Sequence, residues 1–129
     1  MESGKNHRRE LGLLGEELAC EWLREMGHTI LERNWRSGHL EVDIISLDAV
    51  GIHFVEVKTR QRNIQAPPQE NVNRAKQRKI AKAAVGFLKT AKGLPYGNLE
   101  CMFDVMAVSF ERGEAKTEWF PQAYIPIYL

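Results

Sequence analysis

Two short runs, Leu40 to Ser46 and Ile52 to Thr59, constrain this chain more than anything else in it. Both read as β-strands, and Asp48-Ala49-Val50-Gly51 between them has the chemistry of a hairpin loop. With Leu47 paired to Ile52, Asp43 faces Glu56 and Glu41 faces Lys58. Strand alternation then points all four charges to one face. The other face takes Leu40, Val42 and Ile44 with His53, Val55 and Val57, an almost wholly apolar set. Ile45, Leu47, Ile52 and Phe54 keep the charged face apolar near the turn, so the charges gather at its far end. Like charges opposed in a sheet destabilise it, which makes Asp43 against Glu56 a poor choice for stability alone. A divalent cation between them removes the objection, and oxygen donors suit Mg²⁺ or Mn²⁺. Lys58 would stand beside such an ion, placed to orient a water or to stabilise charge on a phosphate. A reading without a ligand stays open: a cross-strand Glu41–Lys58 ion pair, with Asp43 and Glu56 solvated on an open face.

The rest of the chain supplies one domain around this hairpin. At 129 residues it can bury one sizeable core, and 43% hydrophobic with 27% charged residues is ordinary for a globular protein. Glu10 to Met26 reads as an amphipathic helix with Leu11, Leu14, Leu18 and Trp22 in its apolar stripe, widened by Ala19, Leu23 and Met26. Glu16 borders that stripe, since Leu13, Cys20 and Leu23 share its flank. Thr29 to Trp35 reads as a strand, Asn71 to Lys92 as a second helix, and Cys101 to Ser109 and Thr117 to Tyr124 as further strands. The order αβββαββ predicts an α/β fold, a mixed sheet flanked by helices. Residues 1–8 and 60–70 lack periodicity and are expected to be flexible. Cys20 and Cys101 lack metal-ligand spacing and suit free thiols in a reducing, cytoplasmic setting. No apolar stretch approaches membrane-spanning length, so no membrane partner is expected. His7, His28, His39 and His53 form no ligand cluster by spacing, and Asp104, within an apolar strand, reads as structural.

The same residues resemble a known nuclease signature. Asp43 on one strand, Glu56-Val57-Lys58 on the next and a preceding helix with Glu16 are similar to the PD-(D/E)xK superfamily, nearest to archaeal-type Holliday junction resolvases. More specifically, the chain resembles the bacterial YraN family of small proteins. The matching segments are Gly15-Glu16 with Ala19, Glu32-Arg33-Asn34-Trp35, Glu41-Val42-Asp43-Ile44-Ile45 and Phe54-Val55-Glu56-Val57-Lys58-Thr59-Arg60. Lys76-Gln77-Arg78-Lys79-Ile80 with Ala83-Ala84, and Phe103-Asp104-Val105, continue the match. The family usually places Gly before its Glu-x-Asp, where this chain has Leu40, and the tail after Glu111 matches only at Ala123-Tyr124. The resemblance implies a restriction-endonuclease-like fold across one nuclease-like domain, 1–129. It implies Asp43 and Glu56 as metal ligands, Lys58 as catalytic lysine, and Glu16 reaching the site from the first helix. Glu41 is either a second acidic group or the orienting partner of Lys58.

A net charge of only +1 requires any nucleic-acid surface to be local. The predicted second helix holds Arg74, Lys76, Arg78, Lys79, Lys82, Lys89 and Lys92 with no acidic residue, and Arg60 and Arg62 extend it. Basic residues beside a carboxylate site suit a phosphate backbone, although a solvated lysine-rich face has the same composition. The expectation is a Mg²⁺- or Mn²⁺-dependent endonuclease acting on DNA in preference to RNA, on branched or structured substrates, and dimeric by analogy with resolvases. The alternative is a nucleic-acid-binding protein that keeps this fold and does not cut.

Overall fold

The computed structural model describes residues 2–61 and 72–124, with side chains from residue 6 onward. Helix α1 (Glu2–Glu25) leads into strands β1 (Thr29–Ser37), β2 (Leu40–Leu47) and β3 (Ile52–Arg60). Helix α2 (Arg74–Leu88), a 3₁₀ turn (Leu94–Tyr96) and strands β4 (Cys101–Glu111) and β5 (Glu114–Phe120) follow. The sheet order is β1-β2-β3-β4-β5. Only β3–β4 is parallel, paired from Ile52↔Cys101 to Arg60↔Ser109, and the other neighbours are antiparallel. This is the expected αβββαββ arrangement, a mixed sheet with a helix layer on each face.

Each face of the sheet has its own core. Ala19, Cys20 and Leu23 of α1 pack on Ile44, Val55, Met106 and Val108. Ile80, Ala83, Ala84 and Phe87 of α2 pack on Ile45, Phe54, Phe103 and Val105. Complete burial of a Phe or Ile side chain contributes about 1.5–3 kcal/mol, so these two layers carry most of the apolar stabilisation. Within α1 the buried stripe is narrower than the leucine spacing predicts. Leu14 and Met26 are exposed, while Cys20 is buried.

Several boundaries move, each for a physical reason. Helix α1 starts at Glu2 rather than Glu10, because its first turns are polar and leave no apolar period to read. Helix α2 starts at Arg74, where the Asn73 side chain accepts from the Lys76 N–H at 2.9 Å and caps the helix. At its end the Thr90 hydroxyl donates to the Phe87 carbonyl at 2.6 Å, so the helix stops short of Lys92. Strand β5 starts at Glu114, behind a two-residue turn in which Arg112 (φ 54°) and Gly113 (φ 78°) are both left-handed. The strand is a mostly exposed edge whose early residues carry no apolar alternation. The segment 60–70 expected to be flexible falls, from residue 62 on, outside the described residues.

One close approach sets the height of α1 over the sheet. A Cβ on Gly15 would lie 2.2 Å from the Thr59 hydroxyl oxygen of β3, whereas a Cβ on Gly12 would meet nothing within 4 Å. Gly15→Ala is therefore expected to cost about 1–3 kcal/mol through forced displacement of helix or strand. Gly12→Ala is expected to be neutral or to stabilise by up to about 1 kcal/mol. Thermal melts of the two variants check this, and equal effects would show that the Gly15 contact is not restrictive.

Candidate active site

β2 and β3 pair in the expected register, from Leu47↔Ile52 to Ile44↔Val55, and the ladder ends there. Asp43, the next residue of β2, continues the connection by another route. Its Oδ2 accepts the Val57 backbone N–H at 2.8 Å. A side chain thus replaces a ladder bond where the two strands fork.

The fork has a visible cause on the neighbouring strand. In the β1–β2 register Asn34 lies opposite Asp43, between Arg33↔Ile44 and Trp35↔Val42. Asn34 has a left-handed backbone (φ 50°), uncommon for any residue but glycine. Around this point the simple alternation of sides breaks. Val42 joins the α2-side core, with Leu40 packed against it, while Ile44 joins the α1-side core. The expectation that Leu40, Val42 and Ile44 share one face is corrected accordingly. Asn34 also donates its side-chain N–H to Glu16 Oε1 at 2.9 Å, which brings the α1 carboxylate toward the fork.

Asp43 and Glu56 meet at this fork. Glu56 is only 8% exposed. Burial pushes the Asp43 carboxyl up to about 7, reinforced by the Glu56 charge, against the pull of the Val57 N–H. Burial also raises Glu16, against its Asn34 hydrogen bond, and the Asp43 and Glu41 charges add to the rise. These carboxylates therefore sense one another. Glu41 pairs with Arg36 Nε at 3.5 Å rather than with Lys58, because β2 and β3 have separated before reaching that pair. Lys58 lies half-buried beside Ala107 of β4 and makes no ion pair among the described residues.

Helix α2 crosses the same end of the sheet. Lys76 reaches Glu56, Nζ to Oε2 at 3.7 Å. Arg74, Arg78, Lys79 and Lys82 are exposed, and no acidic residue interrupts the helix. Lys92 is committed elsewhere, bonded to the Leu31 carbonyl and to Glu32. Gln77 donates to the Val72 carbonyl at 2.8 Å and does not serve the site. Arg60 closes β3, and Arg62 lies outside the described residues.

A second cluster was not expected from sequence. His28, Asp48 and His53 come together with ligand atoms all within 4.8 Å of one another, a group able to coordinate a divalent metal. Histidine spacing alone gave no cluster, because the three residues come from the α1–β1 link, the β2–β3 turn and β3. Their meeting depends on strand register. The one signal available was a pair of polar residues, His53 and Asp104, each flanked by apolar neighbours in its strand.

A five-stranded mixed sheet between two helix layers, with an acidic pair and Glu-x-Lys on its forked strands, defines the PD-(D/E)xK-like, restriction-endonuclease-related class. The chain belongs to the Uncharacterised protein family UPF0102, the YraN family, whose profile matches residues 15–108. It is 41% identical over 119 residues to a UPF0102 protein of Anaeromyxobacter dehalogenans, covering 91% of this chain and 85% of the relative. A UPF0102 protein of Chlorobium chlorochromatii is 44% identical over 104 residues, 81% of this chain and 78% of its own. That of Bacteroides thetaiotaomicron is 35% identical over 117 residues, 91% and 93% respectively.

The raised Asp43 carboxyl has a testable sign. Folded Asp43 keeps its proton up to about 7, whereas the unfolded residue loses it near its ordinary value of 3.8. Between those values the folded state binds more protons, so stability falls as pH rises and levels off above about 7. Asp43→Asn keeps an acceptor for the Val57 N–H and abolishes the ionisation. Melts in EDTA are expected to show the variant gaining on wild type from pH 4 to pH 8. A difference in Tm that stays constant over that range would overturn the assignment.

Proposed function

We propose that this chain is a divalent-metal-dependent endonuclease-like protein acting on DNA, with Asp43, Glu56, Lys58 and Glu16 as its catalytic group. The observation that carries this reading is the buried Asp43–Glu56 pair, with an Asp43 carboxyl pushed up to about 7. Two carboxylates crowded at a fork form a cost that folding alone does not explain. A hard cation relieves it, and oxygen-only donors fit Mg²⁺ or Mn²⁺. Asp43 and Glu56 would hold the ion, which when bound polarises a phosphate and lowers the pKa of a water.

The remaining roles belong to the chain's own residues. Asp43 uses Oδ2 on Val57, which fixes the carboxylate and would leave Oδ1 to an ion. Lys58, two residues beyond Glu56 and without an ion partner among the described residues, would place its ammonium against a phosphate oxygen or an attacking water. Glu16, oriented by Asn34, supplies a further carboxylate from α1, and Glu41 with Arg36 borders the site. Arg60, Arg74, Lys76, Arg78, Lys79 and Lys82, with Arg62, would hold the backbone of a branched or structured DNA. Two symmetric cuts in such DNA would need two copies of the site, hence a homodimer. Two free cysteines suit a cytoplasmic setting, and among the described residues no helix is long and apolar enough to cross a membrane.

One contact favours a second reading. Lys76 already offers Glu56 a positive charge at 3.7 Å, as a protein that binds nucleic acid without cutting would use it. Cleavage of linear, flapped and four-way DNA with Mg²⁺ or Mn²⁺ separates the two. Wild type is expected to cut and Lys58→Ala to bind without cutting, whereas binding with no cutting under any divalent metal would establish the second reading. Calorimetry with Mn²⁺ checks the ligands, since unchanged affinity in both Asp43→Ala and Glu56→Ala would remove them from the metal site.

The exposed helix face makes an independent expectation. With about four or five phosphates contacted on duplex DNA, log affinity should fall against log salt with a slope of roughly −4. Arg78→Ala and Lys82→Ala should each weaken binding across sequences and flatten that slope. Fluorescence anisotropy over a salt series reads both. Wild-type affinity in the two variants would place the DNA on another surface.

A further inference from the structure

We propose that His28, Asp48 and His53 form a zinc site, distinct from the acidic site in position and chemistry, that ties the start of β1 and the β2–β3 turn to β3. His53 and Glu56 are three residues apart on β3, so they lie on opposite faces and about 10 Å apart along the strand.

All three side chains are held before any ion arrives. His28 follows Gly27 (φ 95°), and its N–H donates to the Leu23 carbonyl at 2.9 Å, which closes the end of α1. Asp48 Oδ1 accepts the Val50 and Gly51 N–H groups at 3.0 and 3.1 Å, an arrangement that locks the turn. His53 pairs with Ser46 across β2–β3, and the Ser46 hydroxyl meets His28 Nδ1 at 2.9 Å.

The converging atoms lie close enough for one ion to gather them, all within 4.8 Å of one another. His28 Nε2 lies 3.4 Å from Asp48 Oδ2, and His53 Nε2 lies 2.8 Å from Asp48 Oδ1. Zinc bonds of about 2.0–2.1 Å give ligand-to-ligand edges of about 3.3 Å, so an ion would draw in atoms that now lie within 4.8 Å of one another and would widen the His53–Asp48 contact. Two imidazoles with one carboxylate select zinc over magnesium. Each imidazole also has an outer partner on its other nitrogen, which fixes the ring. His28 Nδ1 has Ser46, and His53 Nδ1 has Asp104 Oδ2 at 2.6 Å. Asp104 is fully buried, and its other oxygen accepts the Gln122 N–H at 2.7 Å. Carboxylate–imidazole–metal chains of this form are the ordinary support of zinc ligands.

The hydrogen-bond inventory of His53 asks for a cation. A carboxylate oxygen faces each of its nitrogens, yet a neutral imidazole has one N–H. Either a second proton is shared within this trio, or a metal enters as Nε2 and Asp48 draw apart from 2.8 Å. Zinc there preserves the bond to Asp104 and offsets both carboxylates, where a proton offsets one. A pocket of about 280 Å³, walled in part by Trp119, Met102 and Gln122, opens on the cluster and leaves room for a water as fourth ligand.

The test uses the full chain stripped with EDTA and titrated with Zn²⁺ alone. A chain carrying Asp43→Asn and Glu56→Gln silences the acidic site and is expected still to bind one zinc. On that background His28→Gln and His53→Gln should each weaken binding more than tenfold, and Asp104→Asn about 10- to 100-fold as an outer partner. Zinc should raise Tm in the background chain and not in the His28→Gln variant, with circular dichroism in EDTA verifying the fold of each. His28→Gln should leave Mg²⁺-dependent DNA cutting intact, so loss of this site and loss of the nuclease reading are told apart. No zinc uptake by the background chain, or uptake indifferent to His28→Gln and His53→Gln, overturns the proposal and leaves a protonated His53 bridging two carboxylates.

Discussion

The parallel pairing of β3 with β4 is the constraint on which the rest of the molecule depends. Two parallel strands cannot be joined by a tight turn, and the crossover between them must travel the length of the sheet. Here the crossover carries α2, which seals Phe54 and Phe103 beneath Phe87 and lays its cationic residues across one end of β3. The Lys76–Glu56 contact is a product of that topology, since Lys76 sits in the crossover that is folded back over β3, where Glu56 lies. The same pairing leaves β2 as the other neighbour of β3 in the sheet, and the fork between them frees backbone groups beside the core.

What fills the fork is a carboxylate. A water or a polar amide would satisfy the Val57 N–H at less electrostatic cost than Asp43 beside Glu56. The chain accepts this cost in a protein whose helix α1 is brought so close to β3 that Gly15 cannot carry a Cβ without a clash at Thr59. Gly15 and Glu16 are consecutive, so the close approach and the third carboxylate are one device. The glycine lowers the helix, and the next residue reaches the fork with Asn34 steadying it.

Much of this was legible in the chain, and what was not has a common cause. The hairpin register followed from a four-residue turn and one-sided charge, both local. The starts of α1 and β5 were misplaced where an exposed, polar element offers no apolar period. The broken alternation at Val42 was hidden because it rests on a left-handed Asn34 in a different strand, and no residue type in β2 encodes that. The Glu41–Lys58 pair failed for the same reason, since the divergence of two strands is invisible to a pattern that assumes they stay together. The histidine cluster needed three separate elements to be placed first. Yet His53 and Asp104 were each out of character among their apolar neighbours. Two such misfits in strands that turn out to be adjacent explain each other, as a buried polar group finds its partner in another buried polar group.

The two faces of β3 thereby differ in the kind of ion their donors suit. At the fork the donors are carboxylate oxygens, and a cation must compete with the ammonium of Lys76 and the proton held on Asp43. Such a site favours a hard ion that keeps much of its water, and its grip should be weak and exchangeable. At the turn the donors are two imidazole nitrogens and one carboxylate, each braced by a bonded neighbour. A braced nitrogen site discriminates strongly against magnesium. The fork is wedged between helix layers, whereas the turn opens on a pocket beside Trp119, so the two donor sets are reached from different sides. A strand that offers an imidazole on one face and a carboxylate on the other presents donors suited to different classes of ion. The alternation of side chains along β3 does the sorting.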